Sequence, residues 1–267
     1  MAALRRIILR RRLRALRLNA GMSQADASEA SGISDKSISH YETGRQLPNP
    51  ATARGMAVAY GASLEAAKDI GRLAQRAGAP GWWEPSTFAD KAGLSTLLDL
   101  DEIAERICQV QPDIIPGLLQ TARYFRAVLA AFPDESDADA AVGLRLDRQR
   151  RIAEMPPELR PTLEFIVTEG AIRRAARIDP DIPSRLRTAA EANTVRVVPE
   201  TAGAHAAMVG GFTIIRPRGS EVPPVVYTET ASGSRYDEDA DIVAVHQRVW
   251  DAVTAICVDI RETDYGR

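Results

Sequence analysis

The sequence predicts an α+β protein in two parts. Residues 1–78 read as an all-α head of five short helices, and residues 79–267 as a helical segment followed by a small, mainly antiparallel sheet domain. Three observations carry this. Through the head, apolar residues recur three and four apart between serines and glycines placed as helix starts and stops. After Pro156 and Pro157 the apolar period changes to two, the spacing of strands. Charge is also divided: residues 1–80 carry a net +7 and residues 81–267 a net −9, although the whole chain sums to only −2.

A length of 267 residues fits one large or two smaller domains, at roughly 100–200 residues each. With 45% hydrophobic and 26% charged residues, the composition is that of a globular protein. No apolar run reaches the roughly 18 residues of a transmembrane helix. The basic N-terminus lacks the apolar core of a signal peptide. Cys108 and Cys257 are too few for a disulfide framework and lack metal-ligand spacing, so a reducing cytoplasm is expected, with no metal. No G-x-S-x-G, H-E-x-x-H, C-x-x-C or glycine-rich phosphate loop occurs, so neither an enzyme nor a cofactor is expected.

In the first helix Leu13, Leu16 and Ala20 share a face, Arg10, Arg14 and Arg17 fall on neighbouring faces, and Gly21 stops it. Seven arginines and no acid fill the first 20 residues, either a footprint of polyanion binding or a solvated arginine face. Ser23 stands as N-cap of a second helix that Gly32 ends after two turns. Ser34 caps a third, Asp35 to Thr43, which Gly44 closes. Pro-Asn-Pro at 48–50 leads into a fourth helix near 51–60, and Ser63 opens a fifth to about residue 77.

The second and third helices are joined by about four residues containing glycine, the spacing of a helix-turn-helix. Ile38 and Tyr41 can face the core with Ile33, leaving Asp35, Lys36, Ser39 and His40 opposite. A helix presenting such donors and acceptors from its first two turns fits a major groove about 12 Å wide. Lys36 suits guanine and Asp35 suits cytosine N4. Asp35 also reads as a favourable charge at a helix N-terminus, which repulsion by phosphate favours.

The stretch SQADASEASGISDKSISHYETGRQLPNP resembles the XRE-type helix-turn-helix of phage repressors and bacterial regulators. The matching positions are Ser23, Gln24, Gly32, Ile33, Ser34, Ile38, Ser39, Glu42, Gly44, Arg45 and Pro48. The resemblance implies that Gln24 meets a phosphate and that Asp35, Lys36, Ser39 and His40 face bases. With Ser34, Ser37 and Arg45 these make up the expected DNA-binding set. It implies an ion pair between Glu42 and Arg17, and a homodimer on a double-stranded operator with half-sites about 34–36 Å apart. Ala27 and Ser31 depart from the pattern, standing where larger apolar residues are usual. A less stable head is expected, at about 25 cal/mol per Å² of apolar burial lost.

Residues 77–85, AGAPGWWEP, read as a hinge. Trp82 and Trp83 can wall a ligand or partner site, or anchor the second domain's core, and aromatic energetics favour the core. Helices are then expected near 90–108, 120–131 and 138–155. Strands are expected at Leu163–Thr168, Thr194–Pro199, Gly211–Arg216 and Val225–Thr230, with helices Glu169–Ala176 and Asp181–Glu191 between the first two. An amphipathic helix, Asp239–Asp259, closes the chain. Arg145, Arg148 and Arg151 share a helical face, either a docking stripe for an acidic partner or a solvated, salt-bridged face. His205, in a glycine-rich loop, can line a small-molecule pocket, though a capping role in a strand turn is favoured.

In order, GWWE (81–84), IIPGLLQTARYFRAVL (114–129), RLDRQRRI (145–152), ETAGAHAAMVGGFTII (200–215) and VVYTET (225–230) resemble the C-terminal domain that follows an XRE head in actinobacterial WhiJ-like regulators. That resemblance implies a transcriptional regulator with a small acidic BldB-like partner protein. The second domain would sense a signal or dock a partner. The alternative is an antitoxin-like, partner-dependent interaction module whose DNA binding serves autoregulation.

Overall fold

A computed structural model describes residues 3–43, 45–78, 89, 94–131, 137–219, 223–230 and 233–264. Trp82, Trp83 and Gly44 lie outside the described residues. The chain divides into two compact units, Met1–Pro85 with Gly219–Val222, and Ser86–Arg218 with Pro223–Arg267.

The first unit holds α1 (Ala3–Asn19), α2 (Gln24–Ser31), α3 (Asp35–Thr43), α4 (Pro50–Ala59) and α5 (Leu64–Gly78). The caps explain where they start and stop. Ser23 Oγ accepts the Asp26 N–H at 3.1 Å, and Asp26 accepts the Ser23 N–H at 2.8 Å, a reciprocal capping box. Gly32 ends α2 at φ +70°, a left-handed conformation costly for other residues. Asn49 caps α4, whose first residue is Pro50. Leu9, Leu13, Ile38 and Met56 are fully buried between the helices. The only buried residue of α2 is Ala27, so this helix contributes little apolar area. The Ser31 hydroxyl turns back to the Ala27 carbonyl at 2.6 Å.

The arginines of α1 do not form one solvated face. Arg5, Arg12 and Arg17 are buried, whereas Arg6 and Arg14 are exposed. Arg5 Nη1 donates to the Arg76 carbonyl at 3.0 Å, one of the α5 C-terminal carbonyls that lack a partner within their own helix.

Burial pushes the Tyr60 phenol up to about 12, and the nearby Glu42 charge adds to the rise. The folded state holds this proton more tightly than the unfolded state. Its stabilisation is therefore whole below pH 10 and lost as pH rises towards 12. Spectrophotometric titration should find Tyr60 among the late-ionising tyrosines, and Tyr60→Phe should remove that component. Ionisation of Tyr60 near pH 10 without unfolding would contradict this.

The second unit is a seven-stranded mixed sheet with helices on both faces. Its elements in order are α6 (Ser95–Ile103), β1 (Ala104–Gln111), α7 (Ala122–Leu129), α8 (Ala138–Ala153), β2 (Thr162–Thr168), α9 (Glu169–Ile178), α10 (Ile182–Ala189), β3 (Thr194–Val198), β4 (Phe212–Pro217), β5 (Val225–Thr230), β6 (Gly233–Asp237), α11 (Ala240–Thr254) and β7 (Val258–Asp259). The strand order is β6-β5-β4-β1-β2-β3-β7. Strands β1, β2 and β3 are parallel and every other pairing is antiparallel. Overall the protein is α+β, as expected.

Alternation along β2 sorts its side chains. Phe165 and Val167 join Ile172, Leu186 and Val195 on one face, while Ile166 joins Ile214, Val226 and Trp250 on the other. Both faces of the central strands are covered, as parallel strands require.

Two boundaries differ from expectation. The helix expected over 90–108 stops at Ile103, and residues 104–111 form the central strand β1. The backbone switches at Ala104, φ −64° and ψ 137°, with no glycine or proline to mark it. The closing helix ends at Thr254, and Val258–Asp259 pair with β3 as an edge strand.

Candidate nucleic-acid interface

The site is built on α2 and α3. Ser34 Oγ accepts the Ser37 N–H at 3.2 Å and lies 2.9 Å from Ser37 Oγ, which starts α3 after the three-residue turn at 32–34. Ser34 and Ser37, two of the three serines of the expected DNA-binding set, are thus engaged in the helix cap. Asp35, the first residue of α3, accepts the Lys36 N–H at 2.7 Å. Its carboxylate sits where the helix dipole favours it.

Ile38 and Glu42 are the buried residues of α3. Their burial fixes the other face outward. Asp35 and Lys36 are exposed, and Ser37, Ser39 and His40 are half-buried. Asp35, Lys36, Ser39 and His40 therefore occupy one helix within two turns, as their spacing predicts. Tyr41, expected in the core, is half-buried. Arg45, just beyond α3, is exposed.

Glu42 anchors the arrangement. Arg17 Nε and Nη2 donate to its two carboxylate oxygens at 2.7 and 2.8 Å. The side chains are only 8% and 3% exposed, so the pair is buried. Arg17 Nη1 also donates to the Met22 carbonyl at 2.7 Å, tying down the α1–α2 turn. The flat guanidinium matches the carboxylate with two parallel bonds, which fixes α1 against α3 in one register. Gln24 Nε2 donates to Glu42 Oε2 at 3.2 Å, so the first residue of α2 is oriented by the same carboxylate. The pair predicted from the resemblance is formed, and Gln24 belongs to it.

Sequence reasoning missed part of the surrounding basic surface. Arg10, Arg11 and Arg14 line a cleft with Thr43 at the end of α3. Arg10 Nη1 donates to the Thr43 carbonyl at 3.1 Å. The signal was the arginine run, but periodicity alone did not separate its buried members from those beside α3.

The residues singled out in the second unit are not brought together. Arg148, read from spacing as part of either a docking stripe or a solvated, salt-bridged face, turns inward. Its Nε and Nη2 donate to Asp101 at 2.6 and 3.0 Å, with side chains 11% and 4% exposed. Arg145 lies over the Phe125 ring, 4.2 Å from its centroid, and against the backbone of Gly117. A buried ion pair and a cation–π contact hold these two side chains against the domain, so they form no surface stripe. His205 is half-buried, precedes a short turn at Ala206–Val209, and makes no capping hydrogen bond with its side chain. Its Nδ1 is buried without a hydrogen-bond partner among the described residues.

Among the described residues, no group of three or more His, Cys, Asp or Glu side chains could hold a metal ion, and no helix is long and apolar enough to cross a membrane.

The head therefore has the architecture of a helix-turn-helix protein, a class that points to a DNA-binding regulator. Residues 8–70 match the family model described as "Helix-turn-helix domain". Residues 94–264 match the model described as "Domain of unknown function (DUF5753)", and because that match spans more than half of the chain, the protein belongs to this family. No curated protein and no solved structure matches it.

Proposed function

We propose that the protein is a sequence-specific, XRE-type transcriptional regulator that acts in the cytoplasm. Residues 1–78 read an operator as a homodimer, and residues 79–267 sense a signal or dock a partner. The observation that carries this reading is the polar face of α3, held outward by the buried Arg17–Glu42 pair. Lys36, Ser39 and His40 would read base edges. Arg10, Arg14, Arg45 and Gln24 would meet phosphates, which fix register without reading sequence.

The test is salt-dependent binding of the full-length protein to pooled genomic fragments, with sequencing of what stays bound at about 150–200 mM salt. A two-fold symmetric motif is the expected result. Binding that is weak and independent of sequence at that salt would overturn it. Within such a motif, Lys36→Ala should cost about 1–3 kcal/mol and relax preference at one base pair. Unchanged relative affinities across operator variants would remove Lys36 from the reading set.

A further inference from the structure

The second unit carries a cleft of about 1230 Å³ between the C-terminal end of α8 and α10. This is somewhat above the roughly 300–1,000 Å³ of small-molecule sites, so it has room for a whole organic molecule. Its floor is apolar: the half-buried Leu163 and Ala189 line it, backed by the buried core residues Leu118, Ile152 and Phe165.

Around this floor the charges are mostly positive. Arg150, Arg160, Arg185 and Arg261 line the cleft against Asp181 and Glu191. This is a local excess of cations in a part of the chain that is net acidic. Arg150 and Arg261 bind Asp147 and Asp259 in exposed pairs, which are weak and exchange partners at little cost.

Arg185 is different because it is fixed in place. Its Nε donates to the Leu119 carbonyl and its Nη2 to Gln149 Oε1, both at 2.8 Å. Gln149 is itself fixed, since its Nε2 donates to the Gly117 and Gln120 carbonyls at 2.9 Å. Two of the five guanidinium N–H donors are thus occupied in orienting the group. Ser184 and Thr188, exposed on α10, add hydroxyls to the same cleft. A pre-oriented guanidinium above an apolar floor matches a planar carboxylate on an apolar body.

We propose that this cleft binds a small amphipathic carboxylic acid, with the carboxylate at Arg185 and the chain along Leu163 and Ala189. This rests on the reading of the second domain as the part that senses a signal. The experiment is calorimetric titration of the full-length protein, without DNA, with decanoate and with decan-1-ol. Saturable one-to-one binding of decanoate is expected, at least about tenfold tighter than decan-1-ol, because only the acid gains the charge-assisted bonds. Arg185→Ala should remove that preference for the acid. Thr188→Trp, at an exposed position, should block both ligands while leaving the fold intact by circular dichroism. No saturable binding of decanoate would overturn the proposal, as would equal affinity for the alcohol or undiminished binding by Thr188→Trp. Operator binding, measured separately, stays intact if only this inference fails, and is lost if the DNA-binding reading fails.

Discussion

Arg17→Ala should destabilise the head by about 3–5 kcal/mol, because it leaves the Glu42 carboxylate buried without its partner. The substitution removes both carboxylate bonds and the bond to the Met22 carbonyl, so α1, α3 and the turn before α2 lose one shared anchor. Gln24 keeps its bond to Glu42, but a single neutral amide does not replace a guanidinium. Amide hydrogen exchange of the full-length protein checks this directly. Peptides within residues 8–60 should exchange faster, while those of the β1–β3 core should not change. Arg17→Met with Glu42→Leu should recover most of the loss, since a buried pair replaced by apolar groups of similar size costs little. If exchange in the head is unaltered in Arg17→Ala, the pair is not what holds α3 in place.

The same residues show why the head was readable from sequence. Its signals are local: Ser23 and Asp26 three apart, Gly32 at a left-handed position, and Ser34 at the start of α3 each fix a helix end from neighbours in the chain. The placement of Lys36, Ser39 and His40 follows through the helical period from an inward Ile38, although Tyr41, expected beside it in the core, is half-buried and Glu42 takes the buried place instead. What periodicity did not separate was the arginine run. Burial of Arg5 and Arg12 depends on what α1 packs against, which no short spacing encodes.

The second unit was less legible because its decisive contacts are distant in sequence. Strand β1 pairs with β2 more than fifty residues later and with β4 about a hundred residues later. Its segment, Ala104–Gln111, follows a helical run with no break residue and carries Glu105, Arg106, Gln109 and Gln111 among its apolar positions. The edge strand β6, Gly233–Asp237, has little β-branched character, and β7 is only two residues long, too short for any period to register. The strands rich in Val and Ile were found, and the polar or very short ones were not.

Arg148 gives the second large effect, and it turns on the same difference. From spacing alone it belongs with Arg145 and Arg151 on one helical face. An exposed arginine there would cost no more than about 0.5 kcal/mol on truncation. In the fold, Asp101 at the end of α6 meets it in a buried, two-pronged pair. Tyr227 and Tyr236 lie close by, their rings 5.0 Å apart, and burial raises both phenols. Arg148→Ala leaves a carboxylate buried among neutral groups and should cost about 3–5 kcal/mol. Denaturant unfolding followed by tryptophan fluorescence, to which buried Trp250 contributes, measures this. Arg148→Met with Asp101→Leu should restore most of the stability, whereas Arg151→Ala, at an exposed position of the same helix, should stay within about 0.5 kcal/mol of the parent. A small loss for Arg148→Ala would return the residue to the surface and reopen α8 as a docking face. A large loss that the double substitution reverses makes Arg148 part of the scaffold that ties α6 to α8.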